Sequence, residues 1–220
     1  MSMIFWIVAV TPDQIIKLHE TPSLANDLLT VAQAEGRERQ RRETLKRLPP
    51  ERRQQAEARF REMHTTPHFV EAEKEVEHAR ERTKPLGVVA SALDLEKSWH
   101  ILHYVFTGDI GPAGSPGDAL MTGEDIGEDL TGYGPPRLQT PAGTKVFAEF
   151  LEKLDLEILQ SKADRETMSA AGIYGLPMGR DAEAEFEIGV RREIASYFPL
   201  LRDYVVAAAR CGNGLLMWLT

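Results

Sequence analysis

Two apolar stretches decide the fold: "MIFWIVAV" at Met3–Val10 and "LLMWLT" at Leu215–Thr220, near opposite ends of the sequence. Neither contains a charged side chain, and both are rich in branched or aromatic residues. They are far shorter than the roughly 20 apolar residues of a membrane-spanning helix. Short runs of this kind predict β-strands that are buried on both faces of a sheet.

Amphipathic helices are predicted between these two strands. Thr11 followed by proline, with Gln14 three residues later, is typical of a capped helix start, and a Thr-Pro pair recurs at Thr140. A long helical pattern covers Ala182–Arg210 and is expected to break or kink near Pro199. The predicted fold class is therefore α/β (mixed α+β), a small mixed sheet that includes both terminal strands and is covered by helices.

The segment of residues 36–84 differs in composition from the rest of the chain. Residues 35–84 hold 14 Lys and Arg against 11 Asp and Glu, with favourable pairs such as Glu38–Arg42 four residues apart. A break is expected at Pro49 and Pro50. We interpret residues 1–220, a length within the usual range of about 50–250, as a single domain from which residues 36–84 project as a charged helical insertion.

Charge and cysteine content restrict the classes of partner and location. The net charge of −8 argues against binding to nucleic acid or to a membrane surface, since both are polyanionic. An RNA-binding arm in the insertion remains an alternative, although its interleaved glutamates favour a solvated face. Cys211 is the sole cysteine, and the first residues do not resemble a signal peptide, so we expect a cytoplasmic protein.

The motif "LDLEKSWHILHYVFTG" at Leu93–Gly108 holds the strongest candidates for chemistry. On a helical wheel Glu96, His100 and His103 share one stripe beside the apolar face that includes Trp99. Such a stripe could hold a metal ion or act in acid–base catalysis. The competing interpretation is a helix rim on which His103 hydrogen-bonds a loop. With no certain third ligand, neither a bound metal nor a cofactor is expected.

This motif also resembles the hallmark segment of the YfbM-like family of small bacterial proteins of unknown function. The resemblance extends to "MSMIFW" at the start, to "GYGPPRLQTP" at Gly132–Pro141, to "IYGLP" at Ile173–Pro177 and to the apolar C-terminal strand, but not to residues 36–84. It implies a mixed α/β fold, and it brings no established activity, substrate or cofactor. Within the family segment, His103 is fixed more firmly than His100. The matching positions of the segment are Asp94, Lys97, Trp99, Leu102, His103, Thr107 and Gly108.

A glycine- and proline-rich stretch follows the motif and ends near "GYGPPR". Arg137 could bind a carboxylate or phosphate there, but an ion pair with an acid of the nearby "GEDIGED" is the better prediction, because no phosphate-loop pattern is present. The candidate ligand-binding residues are His103, Thr107, Tyr133 and Arg137.

Two functions follow from these patterns. The first is an uncharacterised cytosolic domain that binds a partner protein or small ligand without established catalysis. The alternative is a hydrolase or metal-dependent enzyme that uses His103, with His100 and Glu96, on the Leu93–Gly108 helix. The sequence does not decide whether the chain is an enzyme.

Overall fold

A computed structural model describes residues 3–176 and 183–220 of the chain. Within these residues the strands are β1 (Phe5–Val10), β2 (Leu93–Asp94), β3 (Glu124–Asp125), β4 (Arg137–Gln139) and β5 (Gly214–Leu219). The helices are α1 (Pro12–Glu20), α2 (Leu24–Arg47), α3 (Pro50–Met63), α4 (Pro67–Thr83), α5 (Ser98–Thr107), α6 (Pro141–Glu152), α7 (Leu156–Ser161), α8 (Arg165–Ala170) and α9 (Glu183–Arg210). Short 3-10 turns occur at Lys84–Leu86 and Pro116–Leu120. Four predicted positions, Met1, Ser2, Pro177 and Ala182, lie outside the described residues.

The five strands form one sheet in the order β2-β1-β5-β4-β3. The predicted fold class is confirmed, and both terminal strands lie next to each other in the sheet. All the pairings are antiparallel rather than mixed in direction. The reason is that α9 returns the chain to the edge at which β1 and β4 both end. Strand β5 therefore starts beside Val10 and Gln139 and runs back along both strands.

Alternate residues of β1 enter two separate apolar cores. Phe5 and Ile7 belong to the core under α5, α6 and α9, whereas Trp6 and Val8 face the core under α1 and α2. Side chains alternate between the faces of a strand, so a strand covered on both faces must be apolar throughout. This confirms the prediction made from the two apolar stretches.

Local sequence signals behave differently in α1 and α9: a capping box marks the start of α1, whereas Pro199 does not interrupt α9. The Thr11 hydroxyl accepts from the Gln14 amide at 3.2 Å, and the Gln14 side chain accepts from the Thr11 amide at 2.9 Å, so the capping box is present. Helix α9 continues through Pro199, where a break or kink was expected. Pro199 and Ala195 are both partly exposed, so water can replace the hydrogen bond that proline removes.

The charged segment is joined to the body of the fold through α2 and α4. Helix α2 runs without a break across Gly36, which is packed so closely that an added Cβ would lie 2.5 Å from the Ala92 carbonyl oxygen. Helix α4 lies antiparallel to α2 and buries Ala79 and Thr83, whereas α3 buries no residue. The expected break at the two prolines is confirmed, since α3 begins at Pro50. None of the described helices is long and apolar enough to cross a membrane.

Candidate functional site

The predicted helix at Leu93–Gly108 begins later than its sequence pattern indicates. Leu93 and Asp94 form β2 against β1, and α5 starts only at Ser98. Between them Glu96 has a φ of 47°, and its amide donates to the Asp94 carboxylate at 2.7 Å. An aspartate that bonds the backbone two residues on favours a turn over a helix.

The proposed Glu96, His100 and His103 stripe therefore does not form, because Glu96 lies outside the helix. Within residues 3–176 and 183–220, no group of three or more His, Cys, Asp or Glu side chains could hold a metal ion. The predicted apolar face of α5 is confirmed. Its buried members include Trp99, Ile101, Leu102, Val105 and Phe106. Trp99 also stacks on Phe5, with ring centroids 5.6 Å apart.

His103 is fully buried, although its position on the wheel placed it just outside the apolar arc. The residues that follow α5 fold over it, and its Nε2 lies 3.3 Å from the Gly111 carbonyl oxygen. The same nitrogen lies 3.9 Å from Oδ1 of the buried Asp118. Asp118 uses its other oxygen to accept from the amides of Ala113 and Ser115, at 2.9 and 2.6 Å. His103 and Asp118 thus hold the loop from its inner side.

His100 links the same loop to a second segment of the chain. Its Nδ1 accepts from the Tyr174 amide at 2.9 Å, so its Nε2 carries the proton and donates to the Ile110 carbonyl at 3.2 Å. Burial lowers the pKa of His100 below its ordinary value of 6.5, the bond to Ile110 opposes that shift, and His103 adds to it. The two nitrogens of His100 are therefore both used by backbone groups.

Thr107 and Arg137 fix the two ends of this loop. The Thr107 hydroxyl donates to the His103 carbonyl at 2.9 Å and accepts from the Asp109 amide at 3.1 Å, so it caps the end of α5. The Arg137 guanidinium donates to the Met121 carbonyl at 2.7 Å and lies 3.9 Å from the Asp125 carboxylate. Pairing with an acid of "GEDIGED" was the prediction that we favoured for Arg137.

Tyr133 is not brought to this loop by any hydrogen bond found among the described residues. It is half-buried in a tight bend whose shape depends on Asp129, which accepts from the amides of Thr131 and Gly132. These backbone bonds lower the pKa of Asp129. The candidate ligand-binding residues therefore divide into three that support one loop and one that belongs to another bend.

Sequence reasoning missed two residues that support the loop. Asp118 forms a capping box with Ser115, a signal that the sequence "SPGD" contains. Gln139 on β4 donates to the Thr122 carbonyl at 2.7 Å, and no local sequence pattern predicts that contact.

A second polar cluster that the sequence did not indicate lies where α9 crosses the turn before α5. Ser98 donates to the Glu193 carboxylate at 2.6 Å. Burial raises the pKa of Tyr197, and the carboxylates of Glu96, Glu193 and Asp94 raise it further. Tyr197 is therefore held neutral as a hydrogen-bond donor.

We name residues 108–123 the anchored loop. Six side chains support it: His100, His103, Thr107, Asp118, Arg137 and Gln139. Its residues 108–110 are exposed, and Ile110 keeps 52% of its surface accessible. The arrangement presents a fixed backbone and an apolar side chain, with its imidazole groups turned inward.

The chain resembles known proteins in both sequence and fold. A family model described as a domain of unknown function, DUF1877, matches residues 1–218. The chain belongs to the DUF1877 family. The solved structure of YfbM from Escherichia coli, a protein of unknown function, is similar to this DUF1877 chain, with a TM-score of 0.56 over 99% of each chain and 17% sequence identity. The expected YfbM-like resemblance is thus confirmed, and at this identity the likeness concerns the fold alone. No curated protein matches the chain.

Proposed function

We propose that this DUF1877 chain is a cytoplasmic binding domain without established catalysis, whose anchored loop contacts a partner protein or a small ligand. The supporting observation is the number of side chains that fix the loop from beneath. Ordering a loop costs conformational entropy, and a loop that is ordered in advance spares a complex that cost. Loops positioned by a rigid scaffold are the usual place for binding residues.

The placement of the histidines supports binding over acid–base catalysis. A general base must come within hydrogen-bond reach of the substrate. His103 has no accessible surface, and both nitrogens of His100 are bonded to backbone groups. The exposed Ile110, in contrast, offers an apolar contact at the surface of the anchored loop.

A library of chemically diverse fragments, observed by NMR on isotope-labelled protein, tests this function. Fragments are expected to shift amide signals of residues 108–116. Asp118→Ala leaves the amides of Ala113 and Ser115 without their acceptor. The variant should therefore broaden the amide signals of residues 108–116 and abolish the shifts that fragments cause there. Asp203→Ala, on the exposed side of α9, is the matched control. Fragments that shift only signals elsewhere would contradict the proposal.

A second candidate, a hydrolase, is favoured by the His103 and Asp118 pair. His103 Nδ1 and Asp118 Oδ1 are buried, and neither has a hydrogen-bond partner among the described residues. If the anchored loop opened, a carboxylate beside an imidazole would suit a general base. Ester, amide and phosphate ester substrates should then be cleaved by the wild type and not by His103→Gln. The metal-dependent form of this candidate lacks support, since Glu96 lies outside α5.

A further inference from the structure

Helix α3 has 14 residues, and none of them is buried. Helices of about 12–15 residues are marginal in water unless an apolar face is packed against something. One attachment is polar: Arg53 donates to the carbonyls that end α2, at Leu45, Lys46 and Leu48. Another is the Arg41 guanidinium, which lies 5.4 Å from the centre of the Phe60 ring. Helix α3 therefore lies along α2 without burying a face of its own.

One face of α3 borders an open groove of about 490 Å³. It is lined by Arg52, Gln55, Ala56, Arg59, Phe60 and Met63. These positions follow the spacing of a single helix face, with apolar side chains flanked by arginines. Met63 is 42% exposed, and neither Arg52 nor Arg59 forms an ion pair with any residue in the described ranges. An apolar strip beside unpaired cations is a surface for an acidic, partly apolar partner.

The same chain carries a surface of that chemistry at the other end of α2. We name residues 124–130, which comprise β3 and the bend after it, the acidic loop. Its exposed members are Glu124, Asp125, Glu128, Asp129 and Leu130. Leu130 is 69% exposed, so the loop combines carboxylates with an apolar side chain. It rests on the beginning of α2, where a Cβ at Gly127 would lie 3.1 Å from that of Ala25.

We propose that the groove of α3 is occupied by the acidic loop of a second copy of this chain, in a two-fold symmetric dimer. The stretch of α2 between Ala25 and Arg41 is about 24 Å long, at about 1.5 Å per residue. The proposed dimer sets the two α2 helices antiparallel, so that each α3 lies beside the other copy's acidic loop. Two-fold dimers are the commonest soluble oligomers, and each contact in them occurs twice.

Charge favours this occupant over the two other candidates. Two α3 faces brought together would oppose Arg52 and Arg59 to the same arginines of the other copy. Nucleic acid would be repelled by the chain as a whole, because its net charge is −8 and its surplus acids lie outside residues 35–84. The groove and the acidic loop, in contrast, attract each other across the two copies.

Sedimentation velocity across a range of protein concentrations tests the dimer. The wild type should dimerise reversibly and more weakly as NaCl is raised. The double variant Arg52→Glu and Arg59→Glu should associate at least about tenfold more weakly, because each reversed charge acts twice in the interface. Arg47→Glu with Arg61→Glu is the matched control, since these exposed arginines do not line the groove.

The decisive experiment mixes two variants, one with reversed charges in the groove and one with reversed charges in the acidic loop. The variant Glu124→Lys with Glu128→Lys should be monomeric alone, as should the groove variant. An equimolar mixture of the two should form a one-to-one heterodimer, because both of its contacts then join opposite charges. Thermal unfolding of each variant checks that it is folded.

Three results would overturn the proposal. They are a wild type that stays monomeric at every concentration, a dimer that the groove and control variants weaken equally, and a mixture that contains only monomers. Dimerisation is independent of the anchored loop, so it neither supports nor weakens the proposed binding function.

Discussion

The body around α5 and the projecting helix α3 are built in different ways. Helix α5 has 10 residues, of which seven are buried, whereas α3 has 14 and buries none. Burial of a large apolar side chain contributes about 1.5–3 kcal/mol to stability. An exposed ion pair contributes about 0–1 kcal/mol. The comparison indicates that the body carries the stability of the chain and that the projection is free to make contacts.

Ion pairs in and around the charged segment, residues 36–84, are numerous, and most are exposed. Glu38 accepts from both Arg41 and Arg42, and the hydrogen bond from Arg41 is the chief cause that lowers the pKa of Glu38 to about 2. Arg80 pairs with Glu35, and Arg82 pairs with Asp27, which ties α4 to α2. These pairs order the helices relative to one another without forming an apolar core.

Trp99→Ala is expected to have the largest effect on stability. Trp99 is 5% exposed and stacks on Phe5, so its truncation leaves a cavity and should cost about 3–5 kcal/mol. The matched change in the projection is Phe60→Ala, which should cost less than about 1 kcal/mol because α3 buries nothing. Urea unfolding at low protein concentration measures both. Equal losses in the two variants would remove the contrast between body and projection.

The supports of the anchored loop should have an intermediate effect. Asp118→Ala leaves two amides unsatisfied and should cost about 1–3 kcal/mol, as should His103→Gln if the ring serves only to hold Gly111. Differential scanning calorimetry gives both values. A His103→Gln protein as stable as the wild type would favour a role for His103 outside loop support.

A smaller effect is expected from acidification through His100. Its pKa is lowered in the folded chain, chiefly by burial, so the unfolded chain binds more protons near and below pH 6.5. Stability should therefore fall as pH drops from 6.5 toward the folded pKa, where the proton would displace the Tyr174 amide from Nδ1. The decline of the melting temperature should be shallower in His100→Gln. A steeper decline in that variant would contradict the assigned tautomer.

Removal of α3 together with the adjoining ends of α2 and α4 should have the smallest effect on stability. Replacing residues 42–75 with a short Gly/Ser linker deletes α3 but keeps Gly36, Ala79 and Thr83, and should change stability by no more than about 1 kcal/mol. Replacing residues 36–84 should cost clearly more, since Gly36 packs on Ala92 and α4 buries two residues against α2. A loss well above about 1 kcal/mol on replacing residues 42–75, measured by thermal unfolding, would mean that α3 belongs to the core.

Much of the fold could be predicted because its signals are local. The two apolar strands, the Thr11 capping box and the helix start at Pro50 each lie within a few neighbouring residues. The start of α5 could not be placed in this way. Leu93 and Asp94 fit a helical wheel, but their pairing with β1, remote in sequence, determines their conformation.

The candidate site was predicted less well for the same reason. His103 lies on the rim of a wheel, and only the loop that folds over it makes it buried. Arg137 was matched to its acidic neighbours because those lie close in sequence. The contacts of Gln139 with Thr122 and of Tyr197 with the turn before α5 depend on tertiary packing, which residue spacing does not contain.

Native-state hydrogen exchange, at low protein concentration and high salt, compares the two regions most directly. Amides of β1, β5 and α5 should exchange only through global unfolding, whereas those of α3 should exchange through local opening at a much lower free energy. The result that would contradict this account is protection of the α3 amides equal to that of the α5 amides under those conditions.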